Sequence, residues 1–222
     1  MKIAMVVPSY LPVPEGGAER QCRLQSTELV KRGHSVMIYT RRWSWRVPRC
    51  ECLGGVHVVR MGLFYPVVEW FWVVRRCLTG RGKGEFLDGP TIDQVRMKQA
   101  VPPRRRIRVM AFLEWIGQAV YVLEWQLHFW RKKNRPDLWH VHADTWERTL
   151  GMMSGARWCR PVFVKPTGFP LRTEALCVSF AAPSQRNTFG CIRYFAISPD
   201  IHDALRAAGV EYSCIVDLPY GV

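Results

Sequence analysis

Lys2-Ile3-Ala4-Met5-Val6-Val7-Pro8, then Gly16-Gly17-Ala18-Glu19-Arg20, then Leu29-Val30-Lys31-Arg32-Gly33-His34-Ser35-Val36 is the part of the sequence that decides the fold. The first run is short, apolar and ended by proline, as a strand buried on both faces of a parallel sheet is. The second opens a helix expected over residues 18–32, which Gly33 stops from the C′ position. The third leads into a strand expected at 35–40. Strand, glycine loop, helix and strand in close succession form the opening unit of a doubly wound α/β sheet.

The same rhythm continues along the chain. Further strands are expected at 56–61, at 138–142 (entered through Arg135-Pro136-Asp137), and at 161–165, 194–197 and 214–218. Ser198-Pro199-Asp200 reads as an N-cap with proline at N1, opening a helix that Gly209 closes. The expected fold class is therefore α/β: a Rossmann-like doubly wound parallel sheet with helices on both faces, 1–222 forming one domain. Residues 75–108 break the rhythm. They hold Gly80, Gly82, Gly84, Gly89, Pro90, Pro102 and Pro103, and ten basic against three acidic residues. A mobile basic insertion is expected there.

Composition narrows the function classes. Of 222 residues 48% are hydrophobic and 23% charged, which suits a globular chain of one domain, with or without an insertion. Lys plus Arg is 32 against 18 Asp plus Glu, a net of +14, so phosphates, nucleic acid or an acidic lipid surface are the partners the charge suits. No basic-aromatic repeat, zinc knuckle or helix-turn-helix cue supports nucleic acid. Eight cysteines at irregular spacing make no disulfide framework, and Cys50-x-Cys52 and Cys159 lack a partner pair at zinc spacing. The apolar N-terminal run is too short for a signal peptide, so a reduced, cytoplasmic protein is expected.

Two stretches are checked as membrane spans. Residues 64–78 are interrupted by Pro66 and Glu69, and residues 107–130 hold Arg108, Glu114, Gln118, Glu124 and His128. Charges at the centre of a span are costly, so neither qualifies. The second stretch has apolar residues at 109, 113, 116, 120, 123, 127 and 130, steps of four and three that mark one face of a helix. Two readings follow: that face packs on a core, or the helix meets a membrane surface or partner through Trp115, Tyr121 and Trp125 on the outside.

The loop after the first strand carries the sharpest chemistry. Paired glycines let a backbone approach a phosphate, and the free N–H groups of a helix start attract it. Turn geometry alone is the other reading of Gly16-Gly17. The dinucleotide fingerprint and the P-loop pattern are both absent. His140 and His142 fall on the same side of their strand, but without a third ligand they make no metal site, and none is expected.

Gly16-Gly17-Ala18-Glu19-Arg20 and 29–36 together resemble the amino-terminal domain of family 4 retaining glycosyltransferases of the GT-B fold. The resemblance continues in Arg135-Pro136-Asp137-Leu138-Trp139-His140-Val141-His142, and in 162–168, with Lys165 and Thr167 as departures. It extends through 195–209 and 215–222, the last with Tyr220 where asparagine is usual. These motifs cover nearly the whole chain apart from about 65–130. The resemblance implies one half of a GT-B enzyme, moving a sugar from a nucleotide diphosphate donor to a hydroxyl of a glycan or lipid-linked acceptor in cell-envelope polysaccharide synthesis. Gly16 and Gly17 then form the donor diphosphate loop. Glu19, Arg20, His142, Lys165, Thr167 and Gly168 are acceptor-side candidates, and His142 and Arg20 also keep structural readings. No resident cofactor is implied, and no catalytic residue is assigned.

In that family a second domain holds most of the nucleotide-sugar site, including a Glu-x7-Glu motif that is not found in these 222 residues. The lone chain is expected to be inactive without that domain, supplied covalently or as a separate subunit. Peripheral contact with the anionic inner face of a membrane is a further expectation from the charge. The alternative reading is a non-catalytic fragment that binds an acceptor or partner; a basic nucleic-acid-binding protein comes third.

Overall fold

The computed structural model describes residues 1–12, 16–64, 66–67, 108–142, 146–166, 192–207 and 209–218. Apart from Arg108, the stretch expected as an insertion lies outside these residues. The chain divides into two compact units, one of residues 1–41, 49–60 and 128–222, the other of 42–48 and 61–127.

The first unit is built on one sheet. Its described strands are β1 (Lys2–Val6), β2 (Ser35–Arg41), β3 (Cys50–Leu53), β4 (Val56–Met61), β5 (Leu138–Val141), β6 (Val162–Val164), β7 (Ile192–Ala196) and β8 (Ile215–Asp217). They lie in the order β3-β4-β2-β1-β5-β6-β7-β8. From β2 across to β8 every pairing is parallel. The order reverses at β1, between β2 and β5. Such a switch point opens a crevice outside the carboxyl ends of the strands.

Helices cover both faces. α1 (Gly17–Lys31) lies on the face of Ile3, Met5, Val36 and Ile38, where Leu29 and Val30 join the core cluster. It ends as the sequence requires: the N–H of Gly33 donates to Val30 O at 2.9 Å and that of His34 to Leu29 O at 3.0 Å. Gly33 has φ +81°, so this is a Schellman stop. α3 (Trp146–Arg157) lies on the opposite face and comes very close to it. A Cβ on Gly155 would fall 2.0 Å from Val162, and one on Gly151 2.7 Å from Val141. α4 (Pro199–Ala207) is N-capped by Ser198, whose Oγ accepts from the Ile201 N–H at 3.4 Å, and it closes at Gly209 with φ +86°.

One feature departs from the expected all-parallel sheet. β3 and β4 form an antiparallel edge hairpin, and Gly54 and Gly55, at φ +58° and +83°, make its two-residue turn. Both central residues of a type I′ turn need positive φ, which is why the pair is Gly-Gly. β8, parallel to β7, forms the opposite edge.

α2 (Arg108–Trp130) runs through most of the described second unit and brings its last turn into the first. The face expected to be packed is not the buried one. Leu123, Leu127 and Trp130 are exposed, whereas Tyr121, Trp125 and Phe129 are buried. Of the three aromatic residues expected outside, only Trp115 is there. Glu124 helps fix this rotation: its buried carboxylate accepts the N–H groups of Gly62 at 2.7 Å and Leu63 at 3.2 Å. In the first unit, the Phe129 ring stands 4.9 Å from those of Tyr39 and Trp139. No described helix is long and apolar enough to cross a membrane.

Candidate functional site

The exits of β1, β5 and β6 lie side by side in the first unit, and those of β1 and β6 reach the first turns of α1 through Ser9–Glu19 and Lys165–Gln21. Beyond β1 the loop is held by Arg60 on β4, whose guanidinium donates to the carbonyl of Leu11 and pairs with the Glu51 carboxylate. Gly16 is the N-cap of α1 and supplies no side-chain cap, which leaves first-turn N–H groups at the mouth of the crevice. Neither Gly16 (φ −81°) nor Gly17 has a positive φ. Backbone conformation therefore does not require glycine at either position. A Cβ on Gly17 would meet nothing within 4 Å, and one on Gly16 only the Glu19 carboxylate, at 2.7 Å from Oε2. Glu19 is half-buried and accepts the Ser9 hydroxyl at 2.8 Å, tying the loop to the first turn of the helix. Arg20 is exposed on that turn.

His140 on β5 and His142 just past its end project from the same face, their rings 4.2 Å apart. The backbone N–H of His142 donates to Val6 O at 2.8 Å, so the strand pairing fixes this residue against β1. Its side chain is fully buried, yet neither ring nitrogen has a hydrogen-bond partner, and Nε2 of His140 has none either. Burial pushes His140 down to about 4, with the Lys165 charge adding to the shift. Burial, then His140, then Lys165 hold His142 well below the ordinary histidine range. Both rings are neutral at pH 7.

Lys165 follows β6. It is buried, its backbone N–H donates to Val141 O at 2.8 Å, and its ammonium donates to the Gln21 side-chain oxygen on α1. Burial lowers its pKa. Thr167 and Gly168, the next two candidates, lie outside the described residues. The described site thus combines a helix start without a side-chain cap from Gly16, two neutral imidazoles, one fully and one half-buried, and one sequestered ammonium. That set suits a ligand with hydroxyls and a negative group. Among the described residues no three His, Cys, Asp or Glu side chains converge as a metal site would.

Sequence reasoning passed over a second hollow on the same edge of the sheet, of about 330 Å³, lined by Ala196, Ile197, Ser198, Pro199, His202, Asp203 and Asp217. Across it His202 Nδ1 lies 2.7 Å from Asp217 Oδ1. The available signal was the Ser198-Pro199 cap, which sets a helix start directly at a strand exit.

No protein-family model matches the sequence, and no curated protein matches it. Solved structures do. Over its whole length the chain is similar to a sucrose-phosphate synthase from Thermosynechococcus elongatus, at 13% identity and TM-score 0.52. It spans about half, 48%, of that chain. A shorter chain of the same synthase matches at TM-score 0.50 and 13% identity, with 90% of it covered and again all of this one. At such identity the likeness is one of fold: a Rossmann-like α/β architecture of the kind found in GT-B glycosyltransferases.

Proposed function

We propose that this chain is the acceptor-side half of a retaining, family 4-type GT-B glycosyltransferase. It acts with a second domain that carries most of the nucleotide-sugar site. The reaction is transfer of a sugar from a nucleotide diphosphate donor to a hydroxyl of a glycan or lipid-linked acceptor. His142 carries the proposal. A fully buried imidazole with two unpartnered nitrogens is a costly arrangement unless a ligand completes it, and the Gly16 N-cap of α1 adds no side-chain cap of its own.

The residues take distinct roles. N–H groups at Gly16 and Gly17 receive diphosphate oxygens, and the missing side chains let them approach. The neutral imidazole of His142 exchanges a hydrogen bond with a sugar hydroxyl without bringing a charge into the dry pocket. Lys165 offers a positive charge to a phosphate or sugar acid. Glu19 holds the loop on the helix, and Arg20 faces the acceptor from outside. Thr167 and Gly168 join the set by resemblance alone. Charge on the leaving diphosphate needs such preorganised donors, and the second domain supplies the rest. Without it the chain turns over no nucleotide sugar, because positioning of donor against acceptor can contribute ~7–11 kcal/mol.

Ligand-observed NMR of the 222-residue chain with UDP-, GDP- and ADP-sugars and with glycan acceptors tests this. Binding by the native chain is expected to be lost in Gly17→Val and in His142→Ala. The open space at Gly17 means that the valine blocks a ligand without disturbing the fold. Unchanged binding in both variants would remove the site from this crevice. Turnover by the lone chain would overturn the division of labour.

A further inference from the structure

Where its side chains are described, the outer face of α2 is apolar and open to solvent. Phe112, Trp115, Leu123, Leu127 and Trp130 are each more than half exposed, from 58% to 73%. At 100° per residue, 112, 119, 123 and 130 share one line, with 115 and 127 about 60° to either side. Tyr121, Glu124 and Trp125 are buried on the opposite side. The stripe therefore runs some five turns, about 27 Å. Aromatic residues end it on both sides: Phe112 and Trp115, stacked at 6.2 Å, and Trp130. Exposed Arg131, Lys132 and Lys133 follow directly. Monomeric proteins rarely leave so long an apolar stripe in water without a use for it.

We infer that this face docks on an anionic lipid bilayer, with α2 lying flat in the interface. Its charge selects this occupant. A second copy of a chain with net charge +14 would bring like charges against the basic end of the stripe. An anionic leaflet instead attracts Arg131, Lys132 and Lys133 while its acyl boundary takes Leu123 and Leu127, and tryptophan is at home at that depth. The one described acidic side chain in α2, Glu124, is turned away and engaged with backbone N–H groups. Because α2 is not a spanning helix, the mode is peripheral. The inference stands apart from the glycosyltransferase reading, since no sugar enters it.

Flotation of the 222-residue chain with phosphatidylcholine vesicles, and with equal mixtures of phosphatidylcholine and phosphatidylglycerol, tests the inference. Binding to the anionic vesicles is expected to be roughly tenfold or more tighter, and to weaken as salt is added. Leu123→Glu with Leu127→Glu is expected to lower it by roughly tenfold or more, with circular dichroism unchanged because both positions are exposed. Lys132→Glu with Lys133→Glu is expected to remove the preference for anionic lipid. No binding to either vesicle, or binding indifferent to the leucine pair, would overturn the inference. So would a concentration-dependent dimer that the leucine variant abolishes, since the stripe would then belong to a second copy.

Discussion

The exit of β5 and the outer face of α2 invert the usual partition of side chains in opposite directions. At β5 the fully buried ring of His142 and the half-buried ring of His140 leave three buried nitrogens unpartnered. On α2 five large apolar side chains stand in water. Folding alone rewards neither arrangement: buried polar groups lose hydration, and exposed apolar groups keep their unfavourable contact with solvent. On the two proposals made above, each is a place that a partner completes. The proposed partners differ: something small with hydroxyls and negative charge in one case, an extended apolar surface edged with negative charge in the other.

The largest effect that sharpens this contrast is on pH dependence of stability. His140 is depressed to about 4 in the fold, against an ordinary value near 6.5. As pH falls below 6.5 the unfolded chain takes up a proton that the folded chain refuses, so stability falls through that window until the folded ring also protonates near 4. Between pH 7 and pH 5 this costs on the order of 2 kcal/mol for His140, and His142 adds to it in the same direction. Urea unfolding across that range measures it. A flat profile would show that the two rings are not the neutral pair described.

Next comes the cost of the unpartnered ring. His142→Phe keeps a ring and removes both orphan nitrogens, so the variant is expected to be more stable by about 1 kcal/mol at pH 7 while losing ligand binding. It is also expected to flatten part of the pH profile. A destabilised variant would mean that His142 is held by packing specific to imidazole.

The smallest effect belongs to the other region. Leu123→Ser and Leu127→Ser are expected to change unfolding free energy by no more than about 0.5 kcal/mol each, because both side chains are exposed in the fold. A loss of 2 kcal/mol or more from either would place these leucines in a packed interior and remove the contrast.

Local rules made much of the fold legible. Pro8 ends the first apolar run, Gly33 stops α1 and the Ser198-Pro199 pair opens α4, each because backbone geometry restricts which residues can stand there. The β3–β4 hairpin carried a signal just as local, Gly54-Gly55 between two strand-like runs, but Cys50 and Cys52 draw attention to metal spacing instead. α3 gave no such signal. Its Gly151 and Gly155 are poor helix formers, and what they provide is close approach to Val141 and Val162, visible only once the sheet exists.

The succession of β1, α1 and β2 and of the later parallel strands, the glycine loop at the first strand exit and the shared side of His140 and His142 were determined by the sequence itself. They follow from the periods of two and 3.6 and from the few residues that permit tight turns. Tertiary structure decided how deeply the histidine pair is buried, since that depends on neighbouring strands distant in sequence, and it set the Lys165 charge where it acts on both rings. It also decided which side of α2 faces water. That helix is apolar on both sides, so its periodicity has no strong direction, and contacts such as those of Glu124 with Gly62 and Leu63 set its rotation.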